Sequence, residues 1–160
     1  MPNPSVHCVE KAVLQYMENN CHEIIVVGGE SPMDCAKIVA AKIAKPNLPI
    51  EKMGGLLKIR KKLVPIIAIP TTAGTGSETT VTAVVTNEEN HKKYAITDMC
   101  LVPTHTAIIP ELTASLPKHI TATTGVDALT HAIESYIGNA NTRETKMDAL
   151  KANFVDRTHE

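Results

Sequence analysis

The chain has 160 residues, 43% hydrophobic, 21% charged and 2% aromatic, and 16 basic against 17 acidic side chains leave a formal charge of -1. That length fits one soluble domain, or one domain and a piece of another. The balanced charge and the lack of Trp exclude the basic footprint and stacking platforms of a nucleic-acid binder.

No apolar run nears the roughly 18 residues of a membrane span, and the start MPNPSVHCVEKA lacks the layout of a signal peptide, so the expected compartment is the cytoplasm. Cys8, Cys21, Cys35 and Cys100 are widely spaced without a C-x-x-C. They suggest neither a zinc knuckle nor a redox pair, and four buried or partly buried thiols are expected.

Val6, Val9, Val13, Tyr16 and Met17 recur at helical spacing and predict an amphipathic helix over 6–19, with Asn3 as N-cap, Pro4 opening the helix and Asn19-Asn20 as the stop. The β-branched run Ile24-Ile25-Val26-Val27 has no polar alternation and predicts a parallel strand covered on both faces. Gly28-Gly29 ends it, and an Ala- and Ile-rich helix follows over 32–44 until Pro46 and Pro49 break the pattern. Residues 45–62 read as a polar loop, with Lys58, Arg60, Lys61 and Lys62 on a solvated surface. The apolar run 63–69 leads into Pro70-Thr71-Thr72-Ala73-Gly74-Thr75-Gly76-Ser77-Glu78. Strands over 81–86 and 94–97 around Asn87-Glu88-Glu89-Asn90 predict a hairpin, and Leu101-Val102 with 107–109 one more short strand region. From Leu116-Pro117 the character turns helical, with 121–137 the best segment and 139–142 its end.

Three places carry chemistry. The glycine turn with Ser31 and Asp34 follows a buried strand, where backbone N–H groups and the positive end of the next helix accept a pyrophosphate; a plain Gly-Gly turn is the alternative, since G-x-G-x-x-G is absent. The hydroxyls of Thr71, Thr72 and Thr75 follow a second buried strand, where they reach phosphate or ribose oxygens or else bond their own backbone, and no Lys makes the loop a Walker A. Asp127 and His131 are four apart on one helix face, the spacing of two ligands on one divalent cation. A solvated face that also carries Thr130 and Glu134 explains the same pattern, and two ligands do not close a site.

In this order and spacing the strings 28–37, 70–78 and 125–134 resemble the iron-containing (group III) alcohol dehydrogenase family, and the likeness fades after about Ala149. The resemblance implies an α/β fold: a Rossmann-like, mostly parallel sheet with helices, followed by the start of an all-helical domain, a dehydroquinate synthase-like architecture in truncated form. Residues 1–112 would be the nucleotide-binding domain without its first strands, and residues 113–160 the beginning of the helical metal-binding domain. NAD or NADP would lie in the cleft between them, contacted by Gly28, Gly29, Ser31, Asp34, Thr71, Thr72, Thr75 and Lys93. Asp127 and His131 match the first two of four metal ligands, for Fe2+ or Zn2+. The implied activity is hydride transfer between the nicotinamide and a small alcohol or aldehyde, in a chain that also admits a homo-oligomer.

The sequence departs from that pattern at Glu30, where the family usually has a third glycine, and at Ile109-Pro110, which lacks the usual aspartate before the proline. The acidic position that selects NAD or NADP and the last two metal histidines have no match; His159 is not at a corresponding place, and 151–160 abandons the apolar pattern of the next helix. A non-catalytic remnant that binds a nucleotide weakly or pairs with a partner chain is the alternative function. A relative working on glycerol or making dehydroquinate is a third reading.

Overall fold

The computed structural model describes residues 3–139 and 141–156, and the expectations for His159 and the last tail residues lie outside them. By its internal contacts the chain divides into one unit of Met1–Thr71 with Ser77–Leu112 and a second of Thr72–Gly76 with Thr113–Glu160. Thr72–Gly76 therefore groups with the helices rather than with the sheet that precedes it.

In the first unit, α1 (Val6–Glu18) begins two residues later than a cap at Asn3 implies. Ser5 takes that role, its hydroxyl accepting the Cys8 N–H at 3.1 Å, because its extended backbone turns the side chain back onto the first turn. Asn19 closes the helix. Strand β1 (Ile24–Gly28) leads through Gly29 into α2 (Glu30–Ala44), then α3 (Ile50–Met53) and β2 (Gly55–Leu56). The stretch read as a plain loop thus holds a short helix and a short strand; Ile50, Met53 and Ile59 are spaced too irregularly for a periodic signal yet are all buried. Lys58, Arg60, Lys61 and Lys62 are exposed. Strands β3 (Ile66–Pro70), β4 (Thr82–Thr86) and β5 (Lys93–Thr97) follow, and β6 is His105–Thr106. The last strand is two polar residues rather than the apolar neighbours on either side, because Leu101 is drawn into a buried 3-10 turn capped by Asp98.

Two sheets form. The first is parallel throughout in the order β1-β3-β6, and the second runs β2-β5-β4 with a parallel and an antiparallel pair. Asn87 makes the β4–β5 turn, its Oδ1 accepting the N–H groups of Glu89 and Asn90. Helix α2 packs on β1 and β3 of one sheet and on β4 of the other, which accounts for an almost unbroken buried run from Met33 to Ala41. Its alanines let both sheets approach closely. One apolar cluster joins Val9, Ile38, Ile50, Met53 and Ile96, and another joins Val26, Met33, Ala40, Ile66 and Ala68. Each fully buried Val, Ile or Met in them contributes roughly 1.5–3 kcal/mol of transfer free energy.

Only one face of β1 is covered. Val26 is buried against α2, whereas Ile25 and Val27 are 60% and 55% exposed, so the uniform apolar run does not mean burial on both sides among the described residues. The thiols also divide differently from expectation: Cys8 and Cys21 are exposed, and Cys35 and Cys100 are partly buried.

The second unit carries α4 (Lys118–Ile137) and α5 (Arg143–Asp156), packed on each other with Ala132 and Ala149 buried. Pro117 opens α4 and Gly138 ends it. Among the described residues no helix is long and apolar enough to cross a membrane.

Candidate functional site

The carboxyl ends of β1 and β3 lie side by side, with Gly28 in register with Pro70. The Thr71 N–H donates to the Gly28 carbonyl at 3.0 Å, so the glycine turn and the start of the hydroxyl loop leave the sheet from adjacent positions on one edge. Strand β6 reaches the same edge, where the Thr106 hydroxyl donates to the Glu78 carbonyl at 3.2 Å. In a parallel sheet this is the edge at which ligands bind. The first helical residue after the turn is Glu30, and Gly29 caps α2 with extended backbone and no side-chain acceptor. Pro32 has no N–H and the Met33 N–H bonds the Gly29 carbonyl at 3.3 Å, so the N–H groups of Glu30 and Ser31 and the positive helix end are what this turn offers a phosphate. Gly28 has a different reason to be glycine. Its φ is +155°, and a Cβ there would meet Cγ of Pro32 at 2.7 Å, so the turn folds onto the proline ring.

Asp34 is not at that open surface. It is 3% exposed, and its Oδ2 accepts the Val84 N–H at 2.9 Å, tying α2 to β4. Burial pushes its carboxyl up to about 6 against the lowering effect of the Val84 N–H and the Lys37 ammonium. Its side chain follows the buried face of α2 with Met33 and Lys37 and serves as an internal tether to β4.

Lys37 is the functional-looking residue that spacing alone did not single out. It is fully buried, and Nζ donates to the Thr80 carbonyl at 2.9 Å, the Thr80 hydroxyl at 2.8 Å and the Thr82 carbonyl at 3.1 Å. Burial lowers its pKa, while Asp34, Glu78 and Glu30 act the other way. A charged residue three after Asp34, inside an otherwise apolar helical run, was the available signal. Asp34 and Lys37 together fasten the segment after the hydroxyl loop to the helix after the glycine turn. Asp98 does similar work elsewhere: burial pushes its carboxyl up, but the N–H groups of Arg60, Cys100 and Ile59 outweigh that and hold it below the usual range. Lys93, expected near a ribose, opens β5 in the second sheet, exposed and paired opposite Thr86.

In the second unit, Gly74 lies against α4 with φ +144°, and a Cβ there would run into the Thr124 carbonyl and come within 2.8 Å of its carbon. The loop holding Thr72 and Thr75 is therefore held close to the helix that carries the candidate ligands. Asp127 and His131 are one turn apart on α4, with Oδ1 and Nε2 separated by 3.8 Å and side chains 43% and 53% exposed. Two donors each about 2.1 Å from one cation stand at most about 4.2 Å apart. The pair therefore fits a shared divalent ion by chemistry and by reach, as one carboxylate oxygen and one imidazole nitrogen. Among the described residues no group of three or more His, Cys, Asp and Glu side chains gathers around a point, so these two are an incomplete ligand set. His131 also borders a groove of about 470 Å3 between α4 and α5, together with Ala128, Ser135, Glu144 and Asp148.

Residues 1–110 match the family described as iron-containing alcohol dehydrogenase. The chain is 44% identical over 138 residues to a choline dehydrogenase of Bacillus subtilis, covering 84% of this chain and 34% of that protein. It is 37% identical over 151 residues to an NAD-dependent methanol dehydrogenase of Bacillus methanolicus, covering 94% of this chain and 39% of that one. Among solved structures, a 1,3-propanediol oxidoreductase superposes with a TM-score of 0.94 at 34% identity, covering 99% of this chain and 41% of its own. The chain thus spans about a third of the length of the curated relatives it matches.

Proposed function

The chain belongs to the iron-containing alcohol dehydrogenase family, and from that premise we propose that it supplies the nucleotide-binding sheet and the first two metal ligands of an NAD(P)-dependent alcohol or aldehyde oxidoreductase. The observation that carries this reading is the shared edge at which Thr71 bonds Gly28 beside the uncapped start of α2. The N–H groups of Glu30 and Ser31 at the start of α2 receive a pyrophosphate, where the helix dipole favours negative charge. Thr71, Thr72 and Thr75 offer hydroxyls to phosphate or ribose oxygens, and Lys93 offers a cation to the ribose side. Asp127 and His131 hold Fe2+, with Zn2+ as the other candidate of suitable chemistry. When bound, the nicotinamide accepts or gives the hydride and the metal serves as Lewis acid for the substrate oxygen. The likeness to a choline and a methanol dehydrogenase supports a small alcohol, or the matching aldehyde, as substrate.

NADH titration of the purified chain, followed by nicotinamide fluorescence, tests the nucleotide half of this reading. A saturable rise is expected, and no saturable change would overturn it. Glu30 in the first turn of α2 supports a second reading, in which the chain binds a nucleotide weakly without turning over. Metal-dependent oxidation of NADH by small aldehydes decides between them: turnover supports the oxidoreductase, and saturable binding without turnover supports the binding protein.

A further inference from the structure

Strand β4 ends its sheet, with β5 on one edge and α2 packed beside it. Main-chain groups along this stretch alternate between the two sides. Toward β5, the Val81 carbonyl accepts the Asp98 N–H and the Asn87 N–H donates to the Lys92 carbonyl. Residues 80, 82 and 84 turn the other way, and there side chains of α2 stand in for a strand. Asp34 takes the Val84 N–H, and Lys37 Nζ donates to the Thr82 carbonyl at 3.1 Å and to the Thr80 carbonyl and hydroxyl at 2.9 and 2.8 Å. Three ammonium hydrogens thus meet three oxygens, and the fully buried group has no donor left for a ligand.

Those oxygens stand at a particular point in the chain. Ser77 is where the hydroxyl loop rejoins this unit, and the Thr80 hydroxyl, which accepts from Lys37, has the Ser77 carbonyl at 3.4 Å and the Thr82 carbonyl at 3.3 Å for its own proton. Between them the Glu78 carbonyl is held by the Thr106 hydroxyl. At its other end the loop leaves from Thr71, whose N–H bonds the Gly28 carbonyl. Both ends are therefore pinned, one on the carboxyl edge of the parallel sheet and one on α2. Lys37 lies two turns along α2 from Glu30, on the same rigid element that offers the Glu30 and Ser31 N–H groups.

We propose that Lys37 is a positioning residue for the nucleotide: through Thr80 it fixes the end of the hydroxyl loop to the helix that receives the pyrophosphate, and it does not touch the ligand. The inference rests on the nucleotide-binding reading above. Hydrogen bonds weaken steeply with misalignment, so loosening this end lowers affinity even though every group that faces the ligand is still present.

Thr80→Val removes the hydroxyl that Lys37 holds and keeps both carbonyls, Thr80→Ser restores a hydroxyl, and Lys37→Met removes the cation. Each full chain is titrated with NADH at low and high salt, followed by nicotinamide fluorescence, at a temperature where circular dichroism shows it folded. Thr80→Val should bind NADH roughly 3- to 10-fold more weakly, the scale of one hydrogen bond. Thr80→Ser should bind as the wild type does, and the salt dependence should be the same in all three, since no charge near the ligand has changed. A merely structural hydroxyl would lower the urea midpoint of Thr80→Val and leave the affinity of the folded chain alone. Lys37→Met, where it folds, should bind more weakly than Thr80→Val with the same salt dependence; where it does not fold, the two Thr80 variants decide. Wild-type affinity in Thr80→Val, equal losses in Thr80→Val and Thr80→Ser, or a flattened salt dependence in Lys37→Met would each overturn the proposal and leave the nucleotide reading standing. No saturable binding by the wild type would overturn both.

Discussion

Replacing Asp34 with Asn should remove a defined pH dependence from folding. The Asp34 carboxyl stands at about 6 in the folded chain against an ordinary 3.8, because it is buried and one N–H bond with a nearby ammonium does not repay its lost hydration. The folded state therefore binds a proton more tightly than the unfolded state does. The contribution of this group is fully present below about pH 4 and lost as the pH rises through about 6. A shift of about 2 units corresponds to about 3 kcal/mol in all, of which roughly 2 kcal/mol falls between pH 4 and pH 7. Asn keeps an oxygen for the Val84 N–H but has no proton to release. Urea unfolding of both proteins at the two pH values measures the difference directly: the variant should gain roughly 2 kcal/mol on the wild type between pH 4 and pH 7. Parallel pH curves would refute the reasoning, because they would mean that the carboxyl ionises as easily inside the fold as outside it.

Lys37→Met removes three hydrogen bonds to Thr80 and Thr82 and strands Asp34 without its neighbouring cation, so a loss of about 3–5 kcal/mol in the same unfolding assay is expected; a loss under about 1 kcal/mol would show that these oxygens are readily satisfied otherwise. Gly74→Ala forces a side chain at φ +144° into the Thr124 carbonyl, and amide exchange along Lys118–Ile137 should quicken by about tenfold or more, as follows from about 1.4 kcal/mol or more of strain; unchanged exchange would show that the loop yields instead. Glu30→Gly removes a negative charge from the first turn of α2. If that turn receives a phosphate, NADH affinity should rise by roughly 3- to 10-fold at low salt and by less at high salt, and unchanged affinity at both would disconnect Glu30 from the site.

The glycine turn, the hydroxyl loop and the Asp127–His131 face were legible because each is local. A turn demands glycine, a strand end followed by hydroxyls stands out against apolar neighbours, and ligand spacing on a helix is a matter of counting. The less regular elements were not legible. The short strand β6 is two polar residues whose strand character comes from pairing with β3, and α3 has no repeat length in which to display a period. Ser5 outcompetes Asn3 as a cap because its hydroxyl meets the Cys8 N–H, a question of backbone direction that composition does not carry.

By itself the sequence determined which residue types stand at which strand ends and helix faces, and with them the family likeness. Only the tertiary structure decided which of those side chains point outward. Asp34 and Ser31 share one helix, yet the first faces β4 and becomes a tether while the second stays in the open first turn, and Ile25 and Val26 share one strand with opposite exposure. The reason is common to both: a side chain's surroundings are set by elements distant in the chain, and local periodicity records the repeat of a face but not what packs against it.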